Sequence, residues 1–127
     1  MIKLIGAICL LAAPALAKPG TPGPAYFSGI YERVGRDARG VPQNDLMQIA
    51  PAGNGVTMTA CAGKAVAMSF GPAFEIVNLM TGAQGADKYD CLFHNNGYNR
   101  AILTCRSQGG AAFTLWPTTA QTLDCNS

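Results

Sequence analysis

The chain of 127 residues contains one histidine and one tryptophan, and only 13% of it is charged. It has no G-x-S-x-G nucleophile turn, no glycine-rich phosphate cradle ahead of a helix and no dinucleotide fingerprint, so the common hydrolase, nucleotide and cofactor signatures are absent. Nine basic residues stand against seven acidic ones, too even a balance to draw nucleic acid or anionic lipid by charge. The carboxylates Glu32, Asp37, Asp45, Glu75, Asp87, Asp90 and Asp124 form no recognisable acid/base pair. His94 has no motif-supported nucleophile or second titrating group beside it and reads as a solvated turn residue. Zinc spacing is missing as well, because no two of Cys61, Cys91, Cys105 and Cys125 lie within four residues of each other. The sequence predicts no catalytic residue, no metal and no cofactor.

What is present begins with a leader. Lys3 precedes the apolar run "LIGAICLLAAPALA", which ends in Ala15-Leu16-Ala17. Small residues at Ala15 and Ala17 suit signal-peptidase cleavage before Lys18, so residues 1–17 read as a signal peptide. A membrane helix needs ~20 apolar residues, and Pro14 and the following Pro/Gly run interrupt the stretch. Cys9 follows Ile8, where a lipoprotein would need a small residue, and it leaves with the leader. Four cysteines then remain of five, an even number that in an exported chain reads as two disulfides. A periplasmic or secreted location follows, with no membrane insertion after processing.

"KPGTPGPA", residues 18–25, reads as an extended, solvated tail, since proline fixes φ and removes a ladder donor. Beyond it, residues 26–127 alternate with period two and show no sustained helical period. Short runs separated by "GRDARGVPQN", "PAGNG", "AGK", "GP", "TGAQGA", "NNG" and "SQGG" give eight strands. They span Tyr26–Val34, Asp45–Ala50, Val56–Cys61, Ala65–Phe70, Ala73–Met80, Asp87–His94, Tyr98–Arg106 and Ala111–Trp116. Hairpin turns without crossover helices predict an all-β, single antiparallel up-and-down barrel stapled by disulfides, because closure removes exposed edges.

Turn lengths then set registers. A three-residue "AGK" loop places Val56 opposite Phe70 and Met58 opposite Met68 on one apolar face. With Asn95-Asn96-Gly97 as a loop, Cys91 faces Ala101, and Cys105 lies four residues away on the same face. Four residues of strand span about 13 Å, beyond the ~7 Å a disulfide allows. Two pairings remain: Cys61–Cys91 with Cys105–Cys125, favoured because the second bond would staple the segment after Trp116 onto the seventh strand, and Cys61–Cys105 with Cys91–Cys125 as the alternative. In this register Tyr89, Cys91, Phe93, Ala101 and Leu103 share one face, and Lys88, Asp90, Leu92 and His94 the other.

The opening strand "YFSGIYERV" resembles that of calycin-type barrels, in which a glycine two residues before an aromatic lets the ring plug the barrel floor; Gly29 and Tyr31 take those places. It is similar in particular to the small periplasmic inhibitors of bacterial metalloproteases. Their free tail precedes Ser-Gly-x-Trp, and Ser28-Gly29-Ile30-Tyr31 matches with Tyr for Trp. Four mature cysteines and a basic 36–39 loop depart from that pattern. The resemblance implies a protein partner, an envelope or secreted hydrolase of protease or lysozyme-like type. It also implies a tail (Lys18, Pro19, Thr21, Pro22) that enters the target's cleft; Arg36, Arg39, Asn95 and Asn96 are then expected on the rim if their turns lie at the same barrel end as the tail. Two other functions remain open. One is a carrier of a small apolar ligand, with Met58, Met68, Phe70, Phe93 and Leu103 lining the interior. The other is an envelope structural or assembly factor.

Overall fold

The computed structural model describes residues 22–61, 63, 65–71, 74 and 77–125. The leader and Lys18, Pro19 and Thr21 lie outside them. Eight antiparallel strands run β1 (Gly29–Arg36), β2 (Pro42–Ala52), β3 (Gly55–Ala60), β4 (Val66–Ser69), β5 (Leu79–Gln84), β6 (Asp87–Asn95), β7 (Ala101–Ser107) and β8 (Ala112–Pro117). Each pairs with the next, and β1 pairs with β8 to close the barrel. The expected all-β, disulfide-stapled up-and-down barrel is therefore observed.

Alternation along each strand selects the interior. β4 reads buried–exposed–buried–exposed from Val66 to Ser69, and inward residues of the other strands supply Tyr31, Ile49, Met58, Met80, Leu103 and Leu115, each less than 2% exposed. Bulky side chains would leave no room for strands to coil into so narrow a barrel, and glycine relieves this at one inward position of β5. A Cβ on Gly82 would overlap the backbone carbonyl of Ala67 and crowd Met68.

Faces are as the alternation predicts, but registers are not. Val56 pairs with Met68 and Met58 with Val66, not with Phe70 and Met68. A tight "AGK" turn requires Cys61 to pair with Ala65, yet Cys61 is turned outward and bonded to Cys125. In the β6–β7 hairpin Asn95 pairs with Ala101, so the connection holds five residues, Asn96 to Arg100. Cys91 then sits directly opposite Cys105, and the two are bonded with Cα atoms 4.1 Å apart inside the barrel. Both expected pairings, Cys61–Cys91 with Cys105–Cys125 and its alternative, are thereby overturned. Moving the turn's centre from Asn96 to Tyr98 conserves the face, because the loop length stays odd, and removes the four-residue offset.

The second bridge follows from the stagger of the strands. Pro117, Tyr31, Met47 and Ala60 form one row across β8, β1, β2 and β3. Neighbouring strands are about 4.8 Å apart, so Cys61, just after Ala60, lies about three strand spacings from the end of β8. Residues 118–125 cross the outside of β1 and β2 as a strap to reach it. Thr118 begins this path, donating from N and Oγ1 to the Ile30 carbonyl at 3.0 and 2.7 Å.

Two expected strand starts also differ. Pro24–Phe27 form a 3-10 turn, so the last two residues of the expected extended segment, Pro24 and Ala25, are helical, and β1 starts at Gly29 rather than Tyr26. In the fifth expected strand, Phe74 and Val77 are helical and Asn78 N–H donates to the Phe74 carbonyl at 2.9 Å. That turn stacks Phe74 on Phe70 at 4.7 Å, and β5 begins only after Asn78, which has φ +59°.

Gly82→Ala should lower stability by ~1–3 kcal/mol through overpacking. Gly71→Ala, with nothing within 4 Å of the added carbon, should stay within about 0.5 kcal/mol of wild type. Urea denaturation of the two variants checks this, and equal midpoints would contradict it. The bridges, closing sequence separations of 64 and 14 residues, should contribute about 4 and about 3 kcal/mol. Limited reduction followed by alkylation should label exposed Cys61 and Cys125 before buried Cys91 and Cys105. Recovery of a Cys61–Cys91 peptide under non-reducing conditions would contradict the pairing.

Candidate functional site

The chain enters at one end of the barrel, called here the floor end, beside the β2–β3, β4–β5 and β6–β7 connections. The opposite end, the mouth, carries the other four hairpin connections. This topology divides the expected rim: Asn95 and Asn96 stand at the floor end with the tail, whereas Arg36 and Arg39 belong to the β1–β2 turn at the mouth. One surface does not hold all four.

The floor is built from the 3-10 turn. Phe27, fully buried, meets Phe93, Tyr26 and Phe70 edge-on at centroid distances of 5.0, 5.1 and 5.4 Å. The floor plug is therefore chiefly Phe27, with Tyr31 above it donating its hydroxyl to the Phe27 carbonyl at 2.9 Å. Burial pushes the Tyr31 hydroxyl up to about 12, against a smaller opposing pull from the Arg100 charge. Gly29 has φ +151°, a conformation that side-chain-bearing residues rarely adopt. Its lack of a Cβ matters less for floor space, since the nearest atom to one would be Arg100 Nη2 at 3.6 Å.

Beside the plug, Asn95 Nδ2 donates to the Tyr26 hydroxyl at 2.8 Å, joining the entering chain to the β6–β7 loop. The loop is held by its own asparagines. Asn95 Oδ1 accepts from Gly97 N–H at 2.7 Å, and Asn96 Oδ1 accepts from Tyr98 and Arg100 N–H at 2.8 and 3.2 Å. Asparagine side chains close such turns by substituting for backbone acceptors. At its tip Tyr98 is 84% exposed, and Arg100, half-buried, points back toward Gly29. A cleft of about 480 Å³ lies there, lined by Ser28, Gly29, Ile30, Gln48, Arg100 and residues 118–121. Pro22, the one described member of the expected tail contacts, is half-buried.

The mouth differs in character. Arg33 donates through Nε and Nη2 to the two carboxylate oxygens of Asp45 at 2.8 and 2.6 Å, and its guanidinium lies 5.5 Å from the Phe113 ring centroid. With Asp87, Tyr89 and Gln84 they line a cavity of about 360 Å³. Burial and the neighbouring Asp87 charge push the Tyr89 hydroxyl up. Arg36 donates to the Gly40 carbonyl at 2.9 Å, and Arg39 pairs with Asp37 at 3.5 Å. The Val41 backbone N–H, above all, holds the Asp37 carboxyl below its usual range. Both arginines of the expected rim thus serve their own turn.

Sequence reasoning missed Phe27, Tyr98, Arg100 and the Arg33–Asp45 pair. Tyr98 and Arg100 were hidden by assigning them to the seventh strand; two consecutive asparagines followed by a further asparagine at 99 were the available sign of a longer loop. His94 is exposed on the outer face of β6. Among the described residues no group of three or more His, Cys, Asp or Glu is placed to hold a metal ion. Comparisons with protein-family models, with curated proteins and with solved structures give no match to this chain.

Because the folded Tyr31 value lies above the ordinary 10.0, the neutral hydroxyl is favoured by folding. Its stabilising contribution is full below about pH 10 and is lost as pH rises through about 12. Absorbance titration should show one of the four tyrosines ionising last, coincident with unfolding. Tyr31→Phe should delete that step and cost ~1–3 kcal/mol at neutral pH by leaving the Phe27 carbonyl unpaired. A late step that survives in Tyr31→Phe would contradict the assignment.

Proposed function

We propose that the protein is an exported binding barrel that inhibits an envelope or secreted hydrolase by contact through its floor end. The observation that carries this reading is the Asn95–Tyr26 hydrogen bond. It couples the entering chain to a loop whose asparagines pin it in one shape, with Tyr98 presented to solvent. A rigid loop offering an exposed aromatic loses little entropy on docking, and tyrosines are frequent anchors of protein interfaces. The prolines of residues 18–24 preorganise the adjoining chain in the same sense, and they resist cleavage in a protease cleft because proline lacks the N–H. The resemblance of Ser28-Gly29-Ile30-Tyr31 to metalloprotease inhibitors agrees with a tail-led mode.

The leader pattern and two disulfides support a periplasmic or secreted location. No helix among the described residues is long and apolar enough to cross a membrane. The carrier reading has less support. Met58, Met68 and Leu103 are buried in the core cluster, with Phe70 and Phe93 packed against it at the floor. Side chains thus occupy the space an apolar ligand would need, and the remaining mouth cavity is lined by an ion pair.

Inhibition assays against exported proteases and lysozymes, paired with affinity capture, test the proposal. Tyr98→Ala and deletion of residues 18–22 should each weaken inhibition and capture at least tenfold, ~1.4 kcal/mol, with melting temperatures unchanged. Arg36→Ala with Arg39→Ala should leave both intact. Loss of binding only in the arginine variant would move the contact to the mouth and overturn the floor-end reading.

A further inference from the structure

Arg100 holds an unusual position among the described basic residues. Its backbone is fixed at the start of β7, where its N–H donates to Asn96 Oδ1 at 3.2 Å and its carbonyl accepts from Asn96 N–H at 2.8 Å. The side chain crosses above Gly29 and is half-buried. A guanidinium carries five N–H donors, yet the contact made here is a long one, Nη2 to the Thr118 carbonyl at 3.3 Å. The ion pairs of the described residues are Arg33–Asp45, Arg39–Asp37 and Arg106–Asp90, and Arg100 is in none of them. Among the described residues no carboxylate lines the cleft into which it faces. At the next outward position of β1, Glu32 accepts from Asn44 Nδ2 at 3.4 Å.

The remaining wall supplies donors of the neutral kind: hydroxyls of Ser28 and Thr119, and the amide of Gln48. Gly29 keeps this wall free of a side chain that would stand against the guanidinium. A half-buried charge without a counter-ion is costly, and an incoming anion would relieve that cost. We infer that the Arg100 cleft is a carboxylate-binding site. The planar fork of a guanidinium matches two carboxylate oxygens in a bidentate pair. One uncompensated positive charge matches a monoanion, whereas a phosphate dianion brings a second charge for which the cleft holds no cation. The carboxylate belongs either to a free organic acid or to the end of a peptide, and both present the same two oxygens. This inference does not depend on the inhibitor reading, since its test requires no protein partner.

The experiment is a titration of the isotope-labelled mature protein, followed by NMR, with acetate, N-acetylglycine, its uncharged amide and inorganic phosphate. Saturable shifts are expected for the Arg100 side chain and the Ser28 and Thr119 amides with both carboxylates and not with the amide. Arg100→Gln should weaken them at least tenfold, and Arg100→Lys should recover only part because it restores the charge without the fork. Gln48→Glu, which leaves Arg100 in place and supplies a negative charge from the exposed face of β2, should also abolish binding and guards against a folding defect in the arginine variants. Tighter binding of N-acetylglycine than of acetate assigns the source to a peptide, and equal binding assigns it to a free acid. Three results would overturn the inference. These are non-saturating shifts spread over Arg36, Arg39 and Arg106, equal response to the amide, or phosphate binding tenfold tighter than acetate.

Discussion

The hydrogen bond from the Tyr31 hydroxyl to the Phe27 carbonyl holds the floor end in its present form. Tyr31 projects from β1 into the core, and the bond fixes the 3-10 turn as a lid under the barrel. That placement sets Phe27 among Tyr26, Phe70 and Phe93 and brings the Tyr26 hydroxyl within reach of Asn95. Asn95 and Asn96 in turn shape the loop that carries Tyr98 and starts Arg100 toward Gly29. Arg100 meets Thr118, and Thr118 bonds to Ile30 next to Tyr31. The connections thus return to the strand they left. Among the described residues no buried side-chain nitrogen or oxygen lacks a partner, so the floor satisfies its fully buried polar atoms while burying five aromatic rings in whole or part.

The fold was legible where it depended on period and illegible where it depended on length. Alternation assigned Met58, Met68, Cys91, Leu103 and Cys105 to the interior, and those side chains are buried. Parity survives any even change in turn length, which is why a wrong loop still gave the right faces. Register does not survive it, and disulfide pairing depends on register. A two-residue shift in the turn's centre, from Asn96 to Tyr98, brought Cys91 opposite Cys105, and an outward Cys61 bonded across the barrel's exterior rather than along its own hairpin. Short helical turns at Pro24–Phe27 and around Phe74 were also invisible to a period-two reading, since a single turn leaves no repeat to detect.

Much of the candidate site was hidden for the same reason. Asn95 and Asn96 could be chosen as turn residues, but their role as acceptors for Gly97, Tyr98 and Arg100 N–H emerges only with the five-residue connection. The basic residues Arg36 and Arg39 looked like a partner of that turn because both segments are polar and lie between strands. An up-and-down barrel places successive hairpin connections at alternate ends, so a count of strands separates them: one strand precedes the first connection and six precede the other.

The central claim is that function resides at the floor end, apart from the mouth. Amide hydrogen exchange of the mature protein, free and bound to a partner recovered by affinity capture, tests this most directly. The account predicts added protection over residues 22–28 and 95–100, with exchange unchanged in the mouth turns 37–41 and 108–111. Protection confined to those mouth turns, with the floor end exchanging as in the free protein, would contradict it.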